Sequence, residues 1–127
     1  MASKRIIETK NAPSPVGPYS QAVESQGFLF CSGQISIDPA SNQVILGPVA
    51  EQAEVVMKNI QAVLKEAGLG FENVVKTTIF LTNMNDFAAV NEVYGRYFKT
   101  QPPARSTIAV AGLPKGVQVE IEVIAAK

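Results

Sequence analysis

One arginine and two glutamates near the C-terminal end are the residues whose types and spacing suggest chemistry. Arg105 directly follows Pro102-Pro103-Ala104, a stiff approach that fixes where its strand begins. Glu120 and Glu122 alternate with apolar residues in the last segment of the chain. An arginine held in place can bind a carboxylate through two parallel hydrogen bonds. The plain alternative is a solvated salt bridge between strands, worth under about 1 kcal/mol.

The sequence contains no histidine, and this removes several kinds of catalytic site at once. Ser-His-Asp triads, Cys-His dyads, zinc-binding HExxH helices and histidine-based ribonuclease chemistry all need an imidazole. The one cysteine, Cys31, cannot form an internal disulfide, and within a strand segment it is more typical of a small core residue than of a nucleophile. Any chemistry in this chain therefore uses other groups.

Length, composition and charge favour a single globular domain spanning residues 1–127. Hydrophobic residues make up 46% of the chain and charged residues only 17%, a lean share of charge that suggests self-association. Eleven Lys and Arg balance eleven Asp and Glu, so no net positive field would attract nucleic acid or an anionic membrane. The sequence shows no signal-peptide hydrophobic region and no apolar run of membrane-spanning length. We therefore expect a cytoplasmic protein with neither a membrane nor a nucleic-acid partner.

Hydrophobic periodicity predicts an α+β fold in which two helices cover one face of a mixed sheet. Ser25-Gln26-Gly27 predicts a hairpin turn, and Gly68 should end the first helix as a C′ glycine. The predicted order of elements is βββαβαββ. Strands are predicted at residues 4–9, 21–24, 28–35, 73–82, 105–111 and 117–125, and helices at residues 48–67 and 86–99.

The last two predicted strands should place the arginine and the acids on one face of the sheet. In the final strand the apolar residues alternate with Glu120 and Glu122, so the glutamates face away from the helices. In the preceding strand the same alternation sends Ile108 to the core and leaves Arg105 and Thr107 on the face of the glutamates. If the two strands form a hairpin, Arg105 pairs with Glu122 and lies diagonal to Glu120, about 7 to 8 Å away between backbones.

A series of short motifs extends over most of the chain, from about residue 12 to residue 125. They are Gly17-Pro18-Tyr19-Ser20-Gln21, Ser32-Gly33-Gln34, Val75-Lys76-Thr77-Thr78, Asn85-Asp86-Phe87 with Asn91, Pro103-Ala104-Arg105-Ser106-Thr107-Ile108, Gly112-Leu113 and Val119-Glu120-Ile121. Together and in this order they resemble the RidA (YjgF) family of reactive-intermediate deaminases. The resemblance implies a chorismate-mutase-like fold assembled as a homotrimer, with sites in clefts between neighbouring subunits. It also implies that neither a metal nor a cofactor is used.

The same resemblance implies an activity and a role for individual residues. The family hydrolyses 2-imino acids such as 2-iminopropanoate and 2-iminobutanoate, released by pyridoxal-phosphate enzymes, to 2-oxo acids and ammonia. Carried over to this chain, Arg105 binds the substrate carboxylate, Glu120 positions the attacking water, and Tyr19 lines the cleft with its hydroxyl. Further residues of the binding cleft would be Ser32, Gly33, Asn91 and Thr107. The family often has cysteine at the position of Thr107, and its replacement here argues against a thiol mechanism.

Two other functions remain open at this point. A regulatory protein that holds 2-oxo acids or other small carboxylates in the same clefts would use the same arginine. A ribonuclease or translation inhibitor is a role often attached to the family, and the missing histidine and balanced charge argue against it. The role of Lys76 is equally open, since its strand position fits either a solvated or an interface charge.

Overall fold

Six of the eight strands form one mixed sheet, and the two helices belong to the core on one of its faces. The structure is a computed structural model that describes residues 3–127. Its strands are β1 (Arg5–Ile7), β2 (Ala22–Ser25), β3 (Phe28–Cys31), β4 (Ile37–Asp38), β5 (Gln43–Val44), β6 (Val74–Leu81), β7 (Ala104–Ala109) and β8 (Val119–Ala126), and its helices are α1 (Val49–Glu66) and α2 (Phe87–Gly95). The predicted order is confirmed, with the small β4–β5 hairpin added where a polar loop was expected. Across the described residues no helix is long and apolar enough to span a membrane.

The order of strands in the main sheet is β1-β2-β3-β8-β6-β7. All neighbouring pairs are antiparallel except β6 and β7, which are parallel. Parallel neighbours need a crossover connection, and α2 provides it between these two strands. The hairpin predicted between β7 and β8 is therefore wrong, because β6 lies between them and β7 forms the edge of the sheet.

Two of the predicted turns are present where the sequence placed them. Gln26 and Gly27 both have positive φ, at 56° and 82°, as the two-residue turn between antiparallel β2 and β3 requires. Gly68 follows α1 with φ 77°, in the left-handed conformation that ends many helices.

The helix α2 ends at Gly95, four residues before the predicted end at residue 99. Beyond it the backbone tightens, and the amides of Arg96 and Tyr97 donate to carbonyls three residues earlier, each at 3.1 Å. The aromatic rings in this turn pack on Phe71, which lies 5.0 Å from Tyr97 and 5.3 Å from Phe98 between ring centroids. Aromatic packing with the residues after α1 thus replaces the last turn of the helix.

The core lies between the helices and one face of the sheet, as the alternation in β8 predicted. Val119, Ile121, Val123 and Ala125 are all buried on this face. Opposite them lies the apolar stripe of α1, formed by Ala53, Val56, Met57, Ile60, Val63 and Leu64. Glu120 and Glu122 consequently face the other way.

The other face of the sheet, here called the open face, carries large apolar side chains without a covering layer within residues 3–127. Ile6, Phe28, Phe30 and Ile108 lie on it and are each 42–51% exposed. In the sheet register, Ile6 and Phe30 lie in one row with Ile124, an outward residue of β8. Ile108 lies in the row of Phe80 on β6. Large exposed apolar side chains gathered on one face of a sheet are typical of contact sites on proteins.

The different burial of two valines predicts different costs for the same truncation. Val119→Ala removes two methyl groups from a side chain with no exposure and should lower the free energy of unfolding by about 2 kcal/mol. Val75→Ala, at a valine of β6 that is 45% exposed, should change it by less than about 0.5 kcal/mol. Urea denaturation of both variants at one protein concentration measures the difference. Equal destabilisation by the two would contradict the assignment of the core face.

Candidate functional site

Four of the predicted site residues line one cleft on the open side of the sheet. The cleft has a volume of about 520 Å³ and contains Tyr19, Ser32, Gly33 and Glu120 in its wall. Its apolar part comes from Val16, Ile35, Ile37 and Pro114. The structure thus brings together residues as far apart in the sequence as Tyr19 and Glu120.

A β-bulge between β3 and β8 shapes the floor of this cleft. Phe30 pairs with Ile124, and the next bridge joins Gln34 to Ile121, so β3 has one more residue than β8 between the two pairs. The extra residue carries the segment 31–33 over Glu120. A side chain at Gly33 would collide with the Glu120 carboxylate, so glycine permits this close approach.

The carboxyl group of Glu120 is partly buried at this position and shares it with a second acid. Burial raises the pKa of Glu120, and the nearby charge of Glu122, two residues along the same strand, raises it further. A carboxyl whose pKa moves toward neutrality becomes a better match for proton transfer at physiological pH. The raised pKa makes the Glu120 carboxylate a stronger base than that of an exposed glutamate.

The loop that carries Tyr19 is held by a buried glutamine. Gln21 is only 2% exposed, and its Oε1 accepts a hydrogen bond of 2.7 Å from the Thr9 amide. Its Nε2 donates to the carbonyls of Thr9 at 3.0 Å and Pro13 at 2.8 Å. Sequence reasoning gave this residue no role, although a glutamine directly after a proline-rich loop was the available signal. Gln21 positions the loop and thereby the wall of the cleft.

The hydroxyl groups of the cleft differ in how strongly they are already engaged. The Ser32 hydroxyl donates to the Ser20 carbonyl at 2.6 Å, so it is tied to the loop. The Tyr19 hydroxyl accepts only a long hydrogen bond of 3.4 Å from the Val16 amide, and the side chain is 52% exposed. Tyr19 is thus the group better able to reorient toward a bound molecule.

Arg105 does not lie in this cleft, and the prediction that it shares a face with the glutamates is wrong. In the β7–β6–β8 register, Arg105 lies beside Thr77, which lies beside buried Val123. Partners at one level of a sheet point to the same side, so Arg105 projects toward the helices. Glu120 lies at the level of Phe80 and Ile108, on the open face.

The error has a physical cause in the position of β7. Alternation correctly separates Arg105 and Thr107 from Ile108, but it does not say which set faces the core. Ile108 is 44% exposed on the open face, contrary to the core position expected for it. β7 is the edge strand, and the Arg105 guanidinium packs against α2 on the side of the sheet where Ile108 was expected.

On its own side of the sheet, Arg105 is held by residues of α2. Its Nη1 donates to Asn91 Oδ1 at 2.6 Å. Its Cζ lies 5.0 Å from the centroid of the Tyr94 ring and 5.4 Å from that of Phe87, in the range of cation–π contacts. Within residues 3–127, no carboxylate forms a salt bridge with this guanidinium. The arrangement presents a cation that is held in place and has no ion-pair partner.

Two further groups bear on the predicted site. The Thr107 hydroxyl is buried without a hydrogen-bond partner in the described part of the chain, on the same side of β7 as Arg105.

Burial raises the pKa of the Cys31 thiol to about 12, so this group stays protonated at neutral pH and is a poor nucleophile. Between residues 3 and 127, no group of three or more His, Cys, Asp or Glu side chains is placed to hold a metal ion.

Fold and site together define an α+β protein in which two helices cover one face of a six-stranded mixed sheet. Residues 9–127 match the family model described as endoribonuclease L-PSP. The human 2-iminobutanoate/2-iminopropanoate deaminase is 51% identical to this chain over 122 residues, which cover 96% of this chain and 89% of the human protein. The chain therefore belongs to the endoribonuclease L-PSP family, which includes the RidA proteins that its motifs resemble.

Solved structures agree with this fold over nearly the whole chain. A Rid family protein from Yersinia pestis superposes with a TM-score of 0.96 at 52% identity, over 98% of this chain and all 100% of the other. The Escherichia coli protein TdcF with bound serine superposes with a TM-score of 0.92 at 41% identity, over 97% of this chain and 98% of the other. The predicted fold class is confirmed.

The paired acids of β8 predict a measurable coupling between two carboxyl groups. Glu122→Gln removes the charge that helps to raise the pKa of Glu120, so that pKa should fall toward the ordinary value for glutamate. Carboxyl carbon NMR during a pH titration reports the change directly. Glu66→Gln, on α1 at the other side of the sheet, is the matched control and should leave the Glu120 titration unchanged. An unaltered Glu120 titration in Glu122→Gln would contradict the coupling.

Proposed function

We propose that this chain hydrolyses 2-imino acids to 2-oxo acids and ammonia, at sites completed between neighbouring copies of the chain. The observation that carries the proposal is the guanidinium of Arg105, held by α2 and free of any salt bridge within residues 3–127. A cation of this kind is suited to two parallel hydrogen bonds with a ligand carboxylate. The name of the human relative supports the reaction.

The same features favour a small substrate with one carboxylate. A 2-imino acid carries one carboxylate directly beside the reacting carbon, so an arginine that binds the carboxylate also fixes that carbon. The relative TdcF binds serine, a small molecule with a carboxylate and a nitrogen on the adjacent carbon. A substrate such as 2-iminopropanoate or 2-iminobutanoate shares both groups.

One chain cannot use Arg105 and Glu120 on the same small molecule. Their strands are separated by β6, which amounts to two strand spacings or about 9 to 10 Å, and their side chains lie on opposite faces. A three- or four-carbon acid is shorter than that separation alone. If both residues act, the Arg105 edge of one copy must lie against the Glu120 cleft of another.

The open face gives a reason for such an assembly. Its apolar side chains would be covered if the sheets of several copies packed together. Self-association would bury this apolar surface while taking few charged groups out of water. Lys76 also lies on this face, where its Nζ donates to Ser106 Oγ at 3.1 Å. We propose a homotrimer, the assembly that the family resemblance implies, with one site at each of three equivalent contacts.

Glu120 would act on water in this site. Its carboxylate accepts a proton as the water oxygen bonds to the imine carbon, which is already electrophilic because the imine nitrogen is protonated. The proton passes from Glu120 to the nitrogen of the resulting carbinolamine, and the C–N bond breaks. The departing ammonia takes the carbinolamine hydroxyl proton and leaves as ammonium, while the 2-oxo acid forms. Tyr19 at the rim can donate a hydrogen bond to the developing charge. The reaction consumes one water, releases ammonium and needs no cofactor.

Single variants separate the two proposed roles. Glu120→Gln should lower kcat by about 10²- to 10⁴-fold, the usual contribution of a positioned general base, while 2-oxobutanoate still binds. Arg105→Met keeps the length of the side chain and should lose both binding and turnover. Single-turnover assays with freshly generated 2-iminopropanoate measure ammonia release. Saturable binding without faster ammonia release in the unmodified protein would point instead to a regulatory carboxylate-binding protein.

Mixing the two variants tests whether the site is shared. When Glu120→Gln and Arg105→Met chains are unfolded together and refolded at equal amounts, random assembly pairs an intact Arg105 with an intact Glu120 at about one quarter of the contacts between copies. Activity should return to about one quarter of that of the unmodified protein. A mixture as inactive as its two components would contradict a site built from two chains.

A further inference from the structure

We propose that Thr77 and Tyr94 form a positioning pair that sets the orientation of the Arg105 guanidinium. This inference rests on the proposed function, since it concerns how the carboxylate-binding arginine is prepared for its ligand. Neither residue is among the site residues that the sequence predicts. Neither is expected to touch the substrate.

The spacing on α2 shows how the helix holds the arginine. Phe87, Asn91 and Tyr94 lie four and then three positions apart, so all three project from one face of the helix. Asn91 accepts a hydrogen bond at one end of the guanidinium, and the two rings lie within cation–π range of it. The three side chains form a cradle that restricts the guanidinium.

The tyrosine of this cradle is itself fixed from the sheet. Tyr94 and Thr77 are 5% and 1% exposed, and their hydroxyl oxygens lie 2.7 Å apart in a hydrogen bond. Thr77 lies directly beside Arg105 in the parallel β6–β7 pairing. The strand next to the arginine therefore anchors the ring that contacts the arginine, and a closed loop of contacts joins the three residues.

The electrostatic state of Tyr94 fits a supporting role. Burial raises the pKa of its phenol, so the hydroxyl stays neutral and keeps its hydrogen bond with Thr77 at physiological pH. A neutral ring also leaves the positive charge of Arg105 uncompensated and available to an anion. Because the side chain is ordered before the ligand arrives, less conformational entropy is lost on binding.

The test uses substitutions that remove one hydroxyl and little else. Tyr94→Phe keeps the ring beside Arg105, and Thr77→Val keeps the shape of the threonine. Each should raise KM for 2-iminobutanoate and the Kd of 2-oxobutanoate about 3- to 10-fold, the effect of losing one buried hydrogen bond, with kcat nearly unchanged. The double variant should be no worse than either single variant, since both remove the same interaction.

Tyr97→Phe is the matched control. This tyrosine lies three residues further along, and its hydroxyl donates to Glu54 on α1 rather than to a neighbour of Arg105. Its variant should lower thermal stability as Tyr94→Phe does, yet leave KM and Kd at the values of the unmodified protein. An equal rise of KM in Tyr97→Phe would show that general loosening, and not positioning, causes the effect.

The remaining outcomes separate this inference from the proposed function. If Arg105→Met weakens 2-oxobutanoate binding while Tyr94→Phe and Thr77→Val bind like the unmodified protein, the positioning role is overturned and the proposed function stands. If Arg105→Met also binds and turns over normally, the proposed function falls and the positioning role falls with it.

Discussion

The parallel pairing of β7 with β6 is the constraint on which the rest of the site depends. Because α2 returns the chain across the sheet, β7 joins at the edge instead of folding back on β8. The pairing register then sets Arg105 beside Thr77 on the helix side of the sheet. The same register leaves Ile108 on the open face, at the level of Glu120.

This arrangement keeps apart two charges that would otherwise neutralise each other. In an antiparallel hairpin Arg105 would have paired with Glu122, and a ligand carboxylate would have had to compete with that acid. In the observed fold the guanidinium donates to an amide and lies against two rings, and within residues 3–127 it forms no salt bridge. Glu120, in turn, has burial and a second acid around it, both of which raise its pKa. Neither charge of the proposed site is neutralised by the other, because the two side chains lie on opposite faces of the sheet.

Much of the fold could be predicted from local patterns, and the errors lie where distant segments meet. Alternation in β8 identified its buried face, and the turn at Gln26 and Gly27 follows from residues that adopt positive φ. The short motifs named the residues of both halves of the proposed site. Local alternation cannot tell which strand lies beside β7, because that choice depends on the crossover. The bulge that brings Gly33 over Glu120, and the buried bonds of Gln21, likewise depend on contacts between segments far apart in the chain.

The central claim is that one small carboxylate is held by Arg105 of one copy and faces Glu120 of another. A crystal structure with bound 2-oxobutanoate tests this most directly. The account predicts the carboxylate oxygens at about 2.7 to 2.9 Å from the Arg105 guanidinium, with the keto carbon directed at Glu120 and Gly33 of the neighbouring copy. A ligand bound away from Arg105, or bound by residues of a single copy alone, would contradict it.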